Sequence, residues 1–456
     1  MADADGTLYF VSGGNLWLAS YDGKEVRQLT FMGGIGNLRM NAAGDTASYQ
    51  RGGQLFTFKT KVPGAQPFLV GFSATYVQNL RALRQAAFSQ LWRSYNTRFY
   101  DPNFHGRDFA ALRALYEPML EGVGTREEMA NLGNLLLGEL EASHSEVGAA
   151  PGSTVGPNTA QLGVYFDYSY VGPGIRVKDI PKRAPGSYEK TRIKPGEYIV
   201  AIDGIDVTLD EDLYKSLNDK GERDFTLLVN DKPGRDGAHT VVFKAMSEGE
   251  WNDLHYRNRI EARSKLVEQG SGGKVGYVHI SGMGGSNQQQ FVREFYEWAE
   301  GKDAMIIDVR ENGGGNIGDT LISWLGFKPY ATNSPRGGYV VPAPILEGRQ
   351  PWNKPIIVLM GDSSFSNAEM FPYGMRATGL AKLVGEPTPG YVIWTFGLGL
   401  VDGTSARMPF QGVWRTDGTP LENIGERPDY LVPWSTPEYF AGKDPQLDKA
   451  ISLLKK

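Results

Sequence analysis

The stretch PIIVLMGDSSFSNAEMFPYGMRATG, residues 355–379, decides how the last 200 or so residues of this 456-residue chain are read. An apolar run (Pro355–Met360), a short polar loop and apolar residues at helical spacing read as strand, turn and helix. The alternation recurs upstream. KVGYVHI (274–280) precedes QQQFVREFYEWAEG (288–301), and AMIIDVR (304–310) precedes GDTLISWLG (318–326). Strands alternating with helices argue an α/β layer with parallel crossovers, in which function sits on the loops at the strand ends.

Two of those loops can carry chemistry. Gly361 to Glu369, GDSSFSNAE, presents serines where a strand turns into a helix. From spacing alone that turn reads first as a Ser-rich helix cap; the same geometry is one a nucleophilic serine needs, with helix N-terminal amides beside it for an oxyanion. It is not the GxSxG elbow. Asp308 to Asn316, DVRENGGGN, contains a formal GxGxxG at Gly313, Gly315 and Gly318. Polar DVREN intervenes before the glycines and the next strand-like run, GYVVPAP, ends without an acid, so a dinucleotide site is not indicated. A tight turn feeding a helix and an anion nest of backbone N–H groups both remain open.

Upstream the pattern changes three times. Gly13-Gly14-Asn15-Leu16-Trp17 recurs 39 residues later as Gly52-Gly53-Gln54-Leu55-Phe56, each copy an alternating strand, a Gly-Gly turn and a second strand. Repeats of about 40–45 residues suit propeller blades, and two blades cannot close a ring that needs at least four, so either a truncated propeller, the preferred reading, or a small β appendage is expected. Residues 76–95, 108–123 and 125–144 carry apolar residues at three- and four-residue spacing, with Thr125 and Glu128 as a capping box. AAPGSTVGPNT (149–159) reads as a linker. Short strands then return to about residue 247, and within them KPGEYIVAIDGIDV (194–207) resembles the signature of PDZ domains, which bind extended peptide ends by strand addition.

Composition removes whole classes of function. With 47 basic and 52 acidic residues the net charge is −5, which excludes a broadly cationic nucleic-acid binder. No Cys is present, so thiol nucleophiles, disulfides and Cys-ligated metal are excluded. The five histidines, His105, His144, His239, His255 and His279, are too widely spaced for HExxH zinc chemistry. No apolar run of about 18 residues spans a membrane. The polar start MADADGTLYF is not a secretory signal, and a cytoplasmic location is expected. Ser187 and Lys190 match SxxK by chance, without SDN or KTG elements. By itself His144 reads as an exposed helix-end histidine and Glu422 as a solvated loop acid. His279 reads as a core residue bonded to backbone, and His105 as part of a turn between helices.

In this order GELEASHSEVG (138–148), the PDZ-like block, DVRENGGGN, FSNAE (365–369) and LENIGERPD (421–429) resemble the tricorn-type branch of the C-terminal processing (tail-specific) serine peptidases, over roughly residues 75–440. The resemblance implies an α+β multidomain chain. Residues 1–73 would be two propeller-like blades, 74–150 a helical cap, 151–250 a PDZ-like β domain, and 251–456 an α/β (crotonase-like) catalytic sandwich. In FSNAE it selects Ser366 as nucleophile, with the N–H groups of Asn367 and Gly314, preferred over Gly315, for the oxyanion. Where the Ser–Lys branch has a lysine in VGExTxGK, this chain has Tyr391 in VGEPTPGY. The base is then His144, with Ser143 as bridge to Glu422; Ser145 is the alternative bridge. The implied activity is endopeptidase cleavage of peptides or unfolded protein segments, with no cofactor and no metal, in a homo-oligomer of hexameric type. Its rivals are an inactive PDZ-containing peptide-binding scaffold and an esterase or amidase on small substrates.

Overall fold

The computed structural model describes residues 1–3, 5–62, 66–149, 157–209, 211–219, 221, 223–327, 331–333, 341–343 and 352–455. The linker and GYVVPAP stretches named above lie largely outside them, as does the loop TNSPRGGYVVP (332–342). The chain divides into two compact units, residues 1–79 and 80–456.

In the first unit the two Gly-Gly turns close antiparallel hairpins. Leu8–Ser12 pairs with Asn15–Ala19, and Thr46–Arg51 pairs with Gln54–Lys59. Gly13, Gly14, Gly52 and Gly53 all take positive φ, which is why these turns need glycine. The first hairpin extends to a three-stranded sheet and the second to a four-stranded one. Tyr9, Leu16, Tyr49 and Phe58 share one small core, and no ring closes among the described strands.

The second unit holds three architectural parts. Helices Leu80–Arg98, Phe109–Tyr116 and Arg126–Gly138 come first. The third starts on a complete capping box, Thr125 with Glu128, as its sequence predicts. The segment at 117–122 continues as a 3-10 helix rather than an α-helix, because Pro118 opens it. These helices share a core with Leu400, Ala406 and Met408, and strand Glu146–Gly148 pairs with Ser405–Gly412. The helices are therefore knitted into the C-terminal part rather than standing alone.

Next comes a sheet of short antiparallel strands built on Tyr198–Ile202, Asp224–Asn230 and His239–Lys244, with helix Glu211–Leu217 beside its sequence. The last part is a five-stranded, wholly parallel sheet in the order Val275–His279, Ala304–Asp308, Ile356–Met360, Lys382–Gly385, Tyr430–Leu431. Its central strands are buried along their whole length, hence the unbroken apolar runs in the sequence. One face packs on Phe291, Phe295, Leu321 and Phe371, the other on Val267, Leu447 and Ile451. Each such side chain contributes about 1.5–3 kcal/mol of burial, enough to fix the strand ends as a rigid platform.

Candidate active site

Two loops leave the carboxyl ends of adjacent parallel strands and abut. Ser364 Oγ donates to Val309 O (2.9 Å), Phe365 N to Asn312 O (2.9 Å) and Gly318 N to Asn367 Oδ1 (2.7 Å). Ser366 stands at the start of helix Asn367–Ala377 with φ 57° and ψ −116°, a conformation few L-residues adopt. The backbone is that of a strained strand-to-helix turn, reached here without a GxSxG sequence. Glu369, fully buried, accepts the Ser366 N–H at 3.0 Å and helps hold that turn.

Gly314 faces this serine at close range. A Cβ there would lie 2.8 Å from Ser366 Cβ and 3.1 Å from the Asn367 N, and its φ is +87°. Its own N–H donates to Asn312 Oδ1 at 2.8 Å. The preference for Gly314 as oxyanion donor thus meets an occupied amide. Among the described residues the N–H groups of Gly313 and Asn367 have no hydrogen-bond partner.

A second group of site residues comes from far upstream in the chain. Helix Arg126–Gly138 ends, and the chain runs through Ser143 and His144 into strand Glu146–Gly148. Ser143 Oγ lies 3.0 Å from His144 Nδ1 and donates to Glu422 Oε2 at 2.9 Å, while Ser143 N donates to Oε1 at 2.7 Å. Because that hydroxyl proton points to the carboxylate, the serine oxygen must accept from His144 Nδ1–H. The Nε2 lone pair is then left for a proton. Among the described residues Ser145 makes neither contact. His144, half-buried and at φ 58°, is pulled down to about 4 by burial and then by the Arg407 charge, with Glu146 opposing. Burial pushes the Glu422 carboxyl up, against the three hydrogen bonds it accepts.

Ser143 and His144 line a hollow of about 610 Å³ together with Gly313, Phe365, Tyr391 and Arg407. The structure thus brings His144, Ser143 and Glu422 into one hydrogen-bonded chain, and packs Gly314 of the neighbouring loop against the turn that holds Ser366 and Asn367. The hollow's wall includes neighbours of both.

Two of the other histidines, His279 and His105, are bonded elsewhere. His279 is buried between Arg310 O (2.9 Å) and Tyr256 Oη (3.0 Å). His105, in its turn, bonds Tyr100 Oη and the carbonyl of Leu140, which leads toward Ser143. Two features escape reading from the sequence alone. The acceptor role of Glu369 is one, though S-x-x-E at 366–369 is a capping-box signal that pointed to it. The other is a buried ionic cluster under the glycine loop. Arg310 pairs with Asp308 (2.7 Å) and Asp444 (2.9 Å), flanked by Arg263 and the Trp434 ring.

Residues 274–432 match the model of peptidase family S41, and residues 80–138 that of the tricorn protease C1 domain. The chain is 26% identical over 416 residues to a tricorn protease of Thermoplasma volcanium, covering 88% of this chain and 39% of that one. It is 26% identical over 452 residues to the tricorn protease of Thermoplasma acidophilum, covering 96% and 41%. It is also 27% identical to tricorn protease homolog 1 of Streptomyces coelicolor, covering 80% and 34%. The chain therefore spans about two fifths or less of the length of these relatives. A crystal structure of the tricorn protease shares the fold, with a TM-score of 0.77 at 24% identity, over 96% of this chain and 43% of that one. No helix among the described residues is long and apolar enough to cross a membrane.

Proposed function

Because this chain belongs to the tricorn-type branch of the C-terminal processing (tail-specific) serine peptidases, we propose that it hydrolyses peptides or unfolded protein segments through an acyl-enzyme on Ser366. The observation that carries the reading is the chain Glu422–Ser143–His144, which fixes the imidazole in the tautomer a general base needs. Ser366 Oγ attacks the scissile carbonyl and His144 Nε2 takes its proton. The imidazolium, stabilised through Ser143 by Glu422, then protonates the leaving amine, and water completes the cycle by the same route.

Asn367 N–H is the first oxyanion donor. The second is Gly314, if its amide exchanges Asn312 Oδ1 for the substrate oxygen, or else Gly313, whose N–H is unengaged among the described residues. The strained backbone at Ser366 supports the nucleophile role, since such strain gathers where a reacting side chain must be presented. The same proposal covers the two hairpin units of residues 1–79 as propeller-like blades and the antiparallel sheet of the middle part as a PDZ-like peptide holder. It also covers assembly as a homo-oligomer, which light scattering tests directly.

The deciding experiment is labelling with a fluorophosphonate probe, the adduct mapped by mass spectrometry, beside a His144→Ala control. An adduct on Ser366 that the control lacks establishes the activated pair. A folded, unlabelled wild type sinks the reading and favours a binding scaffold.

A further inference from the structure

Three consecutive backbone N–H groups, of Gly390, Tyr391 and Val392, are all donated to buried carboxylates, and not to the same one. Gly390 N and Tyr391 N donate to Glu369 Oε2 and Oε1, at 2.6 and 2.7 Å. Val392 N donates to Glu422 Oε2 at 2.8 Å. Glu369 also holds the N–H of Ser366, and Glu422 also holds both the N–H and the hydroxyl of Ser143. Residues 390–392 therefore form a short strap between the acceptor behind the nucleophile and the acceptor behind the base. Gly390 N, Tyr391 N and Val392 N are within or next to buried positions, and both carboxylates are at most 4% exposed. The strap is anchored further. Asn423 N donates to Gly390 O (2.7 Å), and Phe365, before the nucleophile, stacks on Tyr391 with centroids 5.5 Å apart.

A carboxylate can accept from three N–H donors at once, which a carboxamide cannot, because one of its two heavy atoms is itself a donor. Charge-assisted bonds of this kind are also the stronger ones. Building on the function proposed above, we infer that Glu369 is a positioning residue. Acting through residues 390–392, it sets the distance and orientation of Ser366 relative to the His144–Ser143–Glu422 chain. Substrate touches neither Glu369 nor the strap amides; their effect is on the alignment of groups that react.

A double-substitution cycle in peptide hydrolysis tests this. Glu369→Gln is expected to lower kcat about 10- to 100-fold with KM within about twofold, the split that marks a transition-state effect. Glu422→Gln lowers it as well, and the pair together loses at least about fivefold less than the product of the single losses, because both loosen one segment. Multiplicative losses, or Glu369→Gln with wild-type kcat, overturn the inference while leaving the peptidase reading intact. An inactive wild type that also resists fluorophosphonate overturns both. Should Glu369→Gln fail to fold, hydrogen exchange in Glu422→Gln decides. Exchange at the Ser366 and Tyr391 amides accelerates about tenfold or more if the strap transmits, and unchanged exchange overturns the inference.

Discussion

Ser143 grips Glu422 with two groups at once, its hydroxyl on Oε2 at 2.9 Å and its backbone N–H on Oε1 at 2.7 Å, across 279 residues of chain. The bidentate contact means that the serine is both the bridge to the imidazole and the anchor of the acid. Ser143→Ala keeps the backbone bond and loses the bridge. Its kcat is expected to fall about 10- to 100-fold, with KM nearly unchanged, in steady-state peptide hydrolysis. A fall in KM affinity alone, with kcat preserved, contradicts a bridging role.

The pH profile follows from the depressed histidine. A general base works in its neutral form, so a pKa lowered from the usual 6.5 to about 4 extends activity downward in pH. The acid limb of kcat/KM for Ser366 acylation is therefore expected near pH 4 rather than near 6.5. Arg407→Gln removes a nearby positive charge and should move that limb up by about 0.3–1 unit. A limb that stays put in the variant removes Arg407 from the account.

Gly314 and its neighbour Gly313 give opposite predictions. Gly314→Ala places a Cβ 2.7 Å from Phe365 O and 2.8 Å from Ser366 Cβ at φ +87°, so the Ser366 turn must move. Fluorophosphonate labelling should slow about 100-fold or more, with destabilisation of about 1–3 kcal/mol. Gly313→Ala meets no atom within 4 Å and should unfold in urea at the wild-type midpoint.

Asp444 caps the C-terminal helix Pro445–Leu454 and pairs with Arg310 in the buried cluster, where charges on Asp308, Arg310, Arg263 and Asp444 balance. Asp444→Ala leaves the guanidiniums of Arg310 and Arg263 with Asp308 and the half-exposed Glu311. Urea unfolding of the second unit is expected to show a loss of about 3–5 kcal/mol. A loss under about 1 kcal/mol would mean that the cluster relaxes into water.

Much of this was legible in the chain itself. The apolar runs at 275–279, 304–308 and 356–360 announce buried parallel strands because a strand covered on both faces has no polar alternation to show. Gly-Gly turns and the Thr125 capping box are local, and local chemistry decides them. Arg310 was not legible as a cluster member, since its partners Asp308 and Asp444 flank it at very different separations and a charged triplet in a loop ordinarily stays in water.

The sequence by itself determined most of the elements, the candidates in the serine turn and, through ordered short motifs, a family resemblance. Only the tertiary structure decided that Ser143 rather than Ser145 reaches Glu422, that the Gly314 amide is already engaged by Asn312, and that residues 390–392 tie Glu369 to Glu422. The reason is physical. Strand and turn formation depend on neighbours a few residues away, whereas the direction of a hydroxyl or amide depends on which distant acceptor the packed core brings within about 3 Å.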